Sequence, residues 1–369
     1  MSTDSTKINN QPKIGATQIR LLKQLCNACA VSGDEGEVRT IVLEQVRAHA
    51  DDVQVDALGN VLVTKVGRSS SRKKRLQVML AAHMDEVGFM ITSDEGSGIY
   101  RFETVGGLDV RQLVGKPVWI GHDHIPGVIG AKPIHLTTAN ERKRTIEIDS
   151  LRIDIGIEAN PKVKIGDRAT FATAFSRMGP SIRAKALDDR FGVTTLIELI
   201  KHAPENIDLL AAFTVQEEVG LRGAQVAAHA FNPDLGIALD STPAYDLPSW
   251  ERDHETEENA NYNTHLDSGP AIYLADSATL ADPRLVRHLV EAAETAKIPF
   301  QFRQPGGGGT DAGAIHRARA GVPSVSVSTP SRYLHTAAGI ARLSDWKNTF
   351  ALLYIALSTL TSNVLSSER

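Results

Sequence analysis

Three apolar runs in this 369-residue chain end in residues that can grip a metal ion or move a proton. Leu76–Ala82 runs into His83-Met84-Asp85, Ile207–Gln216 into Glu217-Glu218, and Leu235–Leu239 into Asp240. Singly, an acid at a strand end caps the next turn and a histidine there is structural. Three such endings in one chain are a signal. Two further stretches join them: Lys185-Ala186-Leu187-Asp188-Asp189-Arg190, ahead of an apolar-periodic helix, and Arg332-Tyr333-Leu334-His335-Thr336. Alone, Asp188 or Asp189 reads as an N-cap or first-turn acid, and His335 as a loop histidine.

Together these residues offer two histidines, at least three carboxylates and no thiolate. That donor mix suits Zn²⁺ or Co²⁺ in a hydrolytic site rather than a closed structural one. A two-metal site needs a carboxylate able to bridge ions about 3.5–4 Å apart, and a base for the bound water. The neighbours Glu217 and Glu218 fit a division of labour, one holding metal while the other handles the proton. They do not suit a glycosidase, whose two acids face each other across the scissile bond at about 5–9.5 Å.

Such residues converge if the runs are strands of an open α/β sheet, where ligands bind outside the carboxyl ends. The pattern predicts this arrangement. Helices are expected over Thr17–Val31 and from Val38 onward. A hairpin then turns at Leu-Gly-Asn between Val55 and Val61, and a buried strand follows over Leu76–His83. From Glu86 to Thr173 short β-like pieces alternate with Gly-rich turns, which predicts a small all-β insertion. Helix–strand alternation then resumes: a helix from Asp188 to His202, strands over Ile207–Val215 and Leu235–Leu239, a helix over Asp282–Lys297 and a strand over Val322–Val327. A last helix starts near Ser344 as N-cap. The expected organisation is a mobile tail (1–15), a discontinuous catalytic domain (16–85 and 173–369) and an inserted β domain (86–172).

Composition narrows the class. Forty Lys+Arg against 44 Asp+Glu give a net charge of −4, which argues against gripping nucleic acid or an anionic membrane. Two cysteines cannot build a disulfide framework and point to a reducing compartment. The polar start is no signal peptide, and the apolar run Phe350–Leu360 is too short to span a bilayer. These features predict a soluble, cytoplasmic protein.

Six motifs in this order, HMDEVGFM (83–90), KALDDRFG (185–192), QEEVGLRGA (216–224), ALD (238–240), GGTDAGAI (308–315) and RYLHTA (332–337), carry a resemblance. With the earlier VSGDEGEVR and DALGNVLV, the chain resembles the glutamyl-aminopeptidase family of dinuclear metallopeptidases. That family includes tetrahedral aminopeptidases and proteins often labelled endoglucanase. The resemblance covers about Leu21 to Leu357. It implies a three-layer α/β/α sandwich with a mixed sheet, interrupted by a small β-barrel-like dimerisation domain. It also implies a metallo-aminopeptidase acting on short peptides with two divalent ions per subunit. His83 and Asp240 would bind one ion, Glu218 and His335 the other, and Asp188 would bridge them. Glu217 would be the general base, and Asp85 would orient His83. Thr310, Asp311 and Arg332, inside two of the motifs, are assigned to the substrate. Self-association to a dimer, and from dimers to a tetrahedral dodecamer, is likewise implied. The alternatives are a related metal-dependent amidohydrolase or deacylase, and a non-catalytic assembly protein on the same scaffold.

Other features read more plainly. His122-Asp123-His124 has a metal-like spacing but sits between Gly121 and Pro126, so a surface turn is expected. Cys26 and Cys29 lie three apart on an amphipathic helix, which reads as packing rather than half a zinc site. The run Gly306–Gly309 lacks the lysine of a phosphate-binding loop and reads as a glycine loop beside the substrate. The basic run Arg68–Arg75, with no interleaved aromatics, reads as a solvated loop. Three local departures from the family pattern stand out: THLDSGPAI, the acidic stretch Glu251–Asn263, and Thr336 after His335.

Overall fold

A computed structural model of the chain describes residues 11–69, 75–157, 162–247, 264–303, 307–366 and 368. Residues 70–74 of the basic run Arg68–Arg75, the whole acidic stretch Glu251–Asn263 and the first of the four glycines fall outside the described residues, as do residues 1–10 of the expected tail. Ile14, also within that tail, is buried in the core.

Helices α1 (Ala16–Asn27) and α2 (Gly36–Val46) come first; they bury Leu21, Leu22, Leu25 and Cys26, and Val38, Ile41, Val42 and Val46. The hairpin β1 (Asp52–Val55) and β2 (Val61–Lys65) follows, then β3 (Gln77–His83). The hairpin turns where expected because Asp56 Oδ1 accepts the N–H groups of Leu58, Gly59 and Asn60, and Gly59 takes φ +101°.

Six strands come next: β4 (Gly88–Asp94), β5 (Ile99–Val105), β6 (Pro117–Ile120), β7 (Ile125–Gly130), β8 (Arg152–Asp154) and β9 (Arg168–Phe171). They close into a barrel in the order β4-β5-β8-β7-β6-β9. Its interior is a separate core built on Phe89, Ile91, Tyr100, Phe102, Ile120, Ile153 and Phe171, with Phe102 and Phe171 edge-on to Phe89 at 5.2 and 5.3 Å.

The chain then continues through β10 (Ser176–Met178), β11 (Ser181–Ala184), α3 (Leu187–Lys201), β12 (Asp208–Thr214), α4 (Arg222–Phe231), β13 (Leu235–Pro243), β14 (Ala271–Tyr273), α5 (Pro283–Ala296), β15 (Gln301–Arg303), α6 (Ala312–Ile315), β16 (Ser324–Arg332), β17 (Gly339–Arg342) and α7 (Leu343–Thr359). Among the described residues the main sheet has eleven strands along the path β1-β2-β12-β3-β13-β16-β17-β11-β10, with β14 and β15 to one side. Its centre, β12-β3-β13-β16, is parallel and its flanks are antiparallel. Alternation along β3 makes it a middle layer: Val78, Leu80 and Ala82 enter the large core shared with α1, α2, α3, α5 and α7. Met79 and Ala81 face α4 and α6 across a smaller core rich in alanine.

Some bounds differ from the sequence reading, each for a local reason. Strands β13 and β16 run on to Pro243 and Arg332, because their polar second halves (Ser241-Thr242 and Ser326-Thr329) are buried at the sheet centre. Helix α7 starts at Leu343 with Arg342 as its cap, so Ser344 is not the N-cap; its hydroxyl donates to Asp267 Oδ1 at 2.6 Å. Helix α5 starts where expected, since Asp282 accepts from Arg284 N–H and Pro283 fills the first turn, where no N–H is needed. Among the described residues no helix is long and apolar enough to cross a membrane.

Candidate metal-dependent active site

The parallel strands deliver their ends to one cleft of about 540 Å³. His83 is the last residue of β3, paired in register with Thr214 at the end of β12, so the Glu217-Glu218 turn emerges beside it. Asp240 lies on β13, and His335 sits in the loop between β16 and β17. Asp188 stands at the head of α3, where neither it nor Asp189 has helical dihedrals and the peptide between them is cis.

These residues meet. Asp188 Oδ1 is 3.2 Å from His83 Nε2, and Asp188 Oδ2 is 3.6 Å from His335 Nε2. On the His83 side Asp240 Oδ1 stands 3.8 Å from Nε2; on the other side Glu218 Oε2 is 3.1 Å from His335 Nε2. Two donor groups therefore form, His83–Asp188–Asp240 and Asp188–Glu218–His335, sharing Asp188. Asp189 plays the capping part, its Oδ1 accepting Gly192 N–H at 2.9 Å, which leaves Asp188 to face the cleft.

Both histidines are held by their far nitrogens. His335 Nδ1 lies 2.9 Å from the Gly107 carbonyl, at the loop after β5, and His83 Nδ1 lies 3.2 Å from the Asp85 carbonyl. A carbonyl only accepts, so each Nδ1 carries a proton and each Nε2 is the nitrogen left to face the carboxylates. The inserted barrel thus contributes to the cleft through a backbone oxygen.

Asp85 is fully buried, and His83 Nδ1 is 3.5 Å from Asp85 Oδ1. Its Oδ1 accepts Glu217 N–H at 3.0 Å; its Oδ2 accepts Glu218 N–H at 3.2 Å and the Ser32 hydroxyl at 2.6 Å. A second brace on the same turn is Asn60, whose Oδ1 accepts Val215 N–H and whose amide donates to the Gly223 carbonyl. The turn itself needs a left-handed residue, supplied by Gln216 at φ +55°.

The electrostatics are those of an acid-rich pocket. Burial, with Asp240, Glu218 and Asp311 nearby, drives the Glu217 carboxyl well above its ordinary range. Burial and the Asp188 charge push Asp240 up to about 8. Burial works against the His335 charge, but Asp188 and Glu218 outweigh it and raise the imidazole to about 11. Carboxyls that favour their neutral form and imidazoles that favour their charged form both mark a site whose acids call for positive charge.

Three residues assigned to the substrate lie elsewhere. Thr310 bonds Ser326 through their hydroxyls at 2.6 Å, Asp311 accepts from the Thr214 hydroxyl at 2.5 Å, and both are 2% exposed. Arg332 pairs with Asp246 at 2.6 Å. Each is engaged with a neighbour within the protein, and none lines the cleft. The wall is formed instead by Leu221, Tyr273, Arg303 and Gly307–Gly309. Arg303 lies 4.8 Å over the Tyr273 ring, with Nε donating to Thr242 and Nη2 to the Gly307 carbonyl. The glycine run did point to this wall; Tyr273 and Arg303, on three-residue strands, had no spacing to single them out.

The M42 glutamyl aminopeptidase family profile matches residues 59–352. A putative aminopeptidase of Acetivibrio thermocellus is 35% identical over 91% of this chain and 97% of its own. A TET aminopeptidase structure from a marine-sediment Thaumarchaeota archaeon superposes with a TM-score of 0.85 at 33% identity, covering 95% of this chain and 99% of that one. The TET1 peptidase of Pyrococcus horikoshii, which can assemble into a tetrahedron or a large octahedral shell, gives 0.80 at 33% identity over 93% of this chain and 100% of that one. The chain belongs to the M42 glutamyl aminopeptidase family and is an aminopeptidase by that membership.

Proposed function

We propose that this protein removes N-terminal residues from short peptides with the help of two divalent ions, Zn²⁺ or Co²⁺. The reading is carried by one observation: the two oxygens of Asp188 each face a different histidine, with a second carboxylate on either side. The donors fit the group. They are all N and O atoms, both histidines present Nε2, and the surrounding acids call for positive charge. His83 and Asp240 would hold one ion, Glu218 and His335 the other, and Asp188 both. When bound, such ions lower the pKa of water from 15.7 towards about 7 and polarise a carbonyl.

The chain's own part is positioning and proton transfer. Glu217 takes the proton of the attacking water on its carboxylate and returns it to the amide nitrogen as the C–N bond breaks. Asp85 fixes where that carboxylate stands through the Glu217 N–H. Tyr273, Arg303 and the glycine wall receive the N-terminal residue, while Thr310, Asp311 and Arg332 support that wall from behind.

Residues 86–172 act as the dimerisation domain between catalytic segments 16–85 and 173–369. The barrel region leaves Val128, Ile134, Leu136 and Ile165 exposed, as a surface that meets another subunit would. Tetrahedral dodecamers follow by analogy with solved TET1 structures at 33% identity, one a dodecamer and one able to assemble into a tetrahedron. The two free cysteines suit the reducing cytoplasm.

Glu217→Gln tests the assignment. Turnover of aminoacyl p-nitroanilides should fall by about 10²–10⁴-fold, the usual weight of a general base, while metal analysis still finds both ions. Full activity in that variant would overturn the role.

A further inference from the structure

A second constellation of donors lies where the N-terminal segment meets the barrel, and it shares no residue with the cleft. Cys29 follows α1, Glu37 stands in the first turn of α2, and His124 ends the turn between β6 and β7. One ligand atom from each lies within 4.8 Å of the others. Glu37 holds the group together: its Oε1 is 2.5 Å from His124 Nε2, and its Oε2 accepts Cys29 N–H at 2.9 Å. His124 is delivered by a left-handed backbone, φ +50°, with its N–H on the Gly121 carbonyl and its ring 6.5 Å from that of Trp119. The crevice is also lined by Asp34 and His122, which stand 3.7 Å apart. Two neighbouring N-terminal segments and a distant barrel turn thus bring one sulfur, one carboxylate oxygen and one imidazole nitrogen to a common point.

We infer that Cys29 Sγ, Glu37 Oε1 and His124 Nε2 bind a Zn²⁺-class divalent ion that ties the first two helices to the barrel. A mixed S, N, O donor set is one that Zn²⁺ accepts at about 2.0–2.3 Å in a tetrahedron. His122, Asp34 or water completes the four. Binding forms a sulfur–metal bond as the Cys29 S–H proton leaves to solvent; the ion takes the place of the Glu37–His124 hydrogen bond, and the His124 ring frees its Nε2 lone pair by carrying its proton on Nδ1 instead. Burial pushes the Cys29 thiol up to about 12, so without an ion it stays protonated and the ion must displace that proton.

The test separates this site from the cleft by its sulfur. The cleft donors are all N and O, so only this site can give a thiolate-to-cobalt charge-transfer band in the near ultraviolet. Full-length protein, reduced and stripped by chelator, is titrated with Co²⁺ alone. The expected result is that band, saturating one equivalent beyond the ions the cleft takes up. Cys29→Ser and His124→Gln should each abolish it and lower the stoichiometry by one, while Cys26→Ser leaves it intact. Retained p-nitroanilide hydrolysis shows that these variants have folded. No band at saturating Co²⁺, a band that survives Cys29→Ser, or one that disappears with Cys26→Ser would each overturn the inference.

Discussion

Asp85→Asn asks whether the site depends on one buried charge behind it. Every group within reach of the Asp85 carboxylate is a donor: Glu217 N–H, Glu218 N–H, the Ser32 hydroxyl and the protonated Nδ1 of His83. An asparagine of the same shape has one acceptor and one NH₂, so in either orientation the NH₂ points at a backbone N–H. Oriented with its oxygen toward Glu217, it leaves Glu218 N–H facing a donor while the Ser32 hydroxyl can turn to accept; reversed, it leaves Glu217 N–H and His83 facing donors. A charge-assisted hydrogen bond is worth about 1.5–3 kcal/mol, and a buried N–H without a partner costs about 1–3 kcal/mol. The strain falls on the turn carrying a proposed ligand and the proposed base. Removing such a supporting partner typically weakens metal binding about 10–100-fold, equivalent to about 1.4–2.8 kcal/mol. Chelator competition with Zn²⁺ should find a loss of that size, and kcat should fall even at saturating metal because Glu217 has moved. Asp85→Ala should be worse on both counts. Wild-type affinity together with wild-type kcat in Asp85→Asn would refute this account of the turn.

Three further outcomes follow from the same contacts. Glu86 is buried against Lys185 Nζ at 2.5 Å and Arg190 at 3.4 Å, and accepts from Thr170 of the barrel, so Glu86→Gln should cost about 3–5 kcal/mol in urea unfolding. Lys185→Met added to it should recover part of that loss, and a cost below 1 kcal/mol for the single variant would contradict the pairing. Burial pushes the Cys26 thiol up to about 12; because burial favours the neutral form, thiolate at pH 8 is about 10⁻⁴ of the total. Iodoacetamide should therefore spare Cys26 until the protein is unfolded, as peptide mass mapping would register. Ile134 and Leu136, 66% and 67% exposed, should form part of the self-association surface, so Ile134→Asp with Leu136→Asp should lower the mass seen by light scattering without changing per-subunit activity. An unchanged assembly would place the interface elsewhere.

What the sequence made legible divides along a physical line. A buried parallel strand must be apolar on both faces, so β3, β12 and β13 stand out as runs, and the polar residue at each end is conspicuous by contrast. That contrast singled out His83, Glu217 and Asp240 before any geometry. The closed barrel was visible in the same way, through short alternating strands and turn residues. Groups whose partners come from remote loops stayed hidden. Asn60 reads as a turn residue, yet its side chain bridges Val215 and Gly223, 155 and 163 positions away. The Gly107 carbonyl that fixes the His335 tautomer is a backbone atom and leaves no mark on sequence. Thr310, Asp311 and Arg332 sit in conspicuous motifs, but a motif does not say which way a side chain faces, and these face away from the cleft. His124 illustrates the same limit in reverse. Its turn was expected to be a surface turn, and His122 beside it is indeed exposed, its side chain 78% accessible. The left-handed backbone of His124 aims the next ring at Glu37, 87 residues away, and so brings Cys29 and an imidazole to one carboxylate. Local spacing finds ligands that share a strand end; ligands assembled from a turn, a helix start and a loop require the fold.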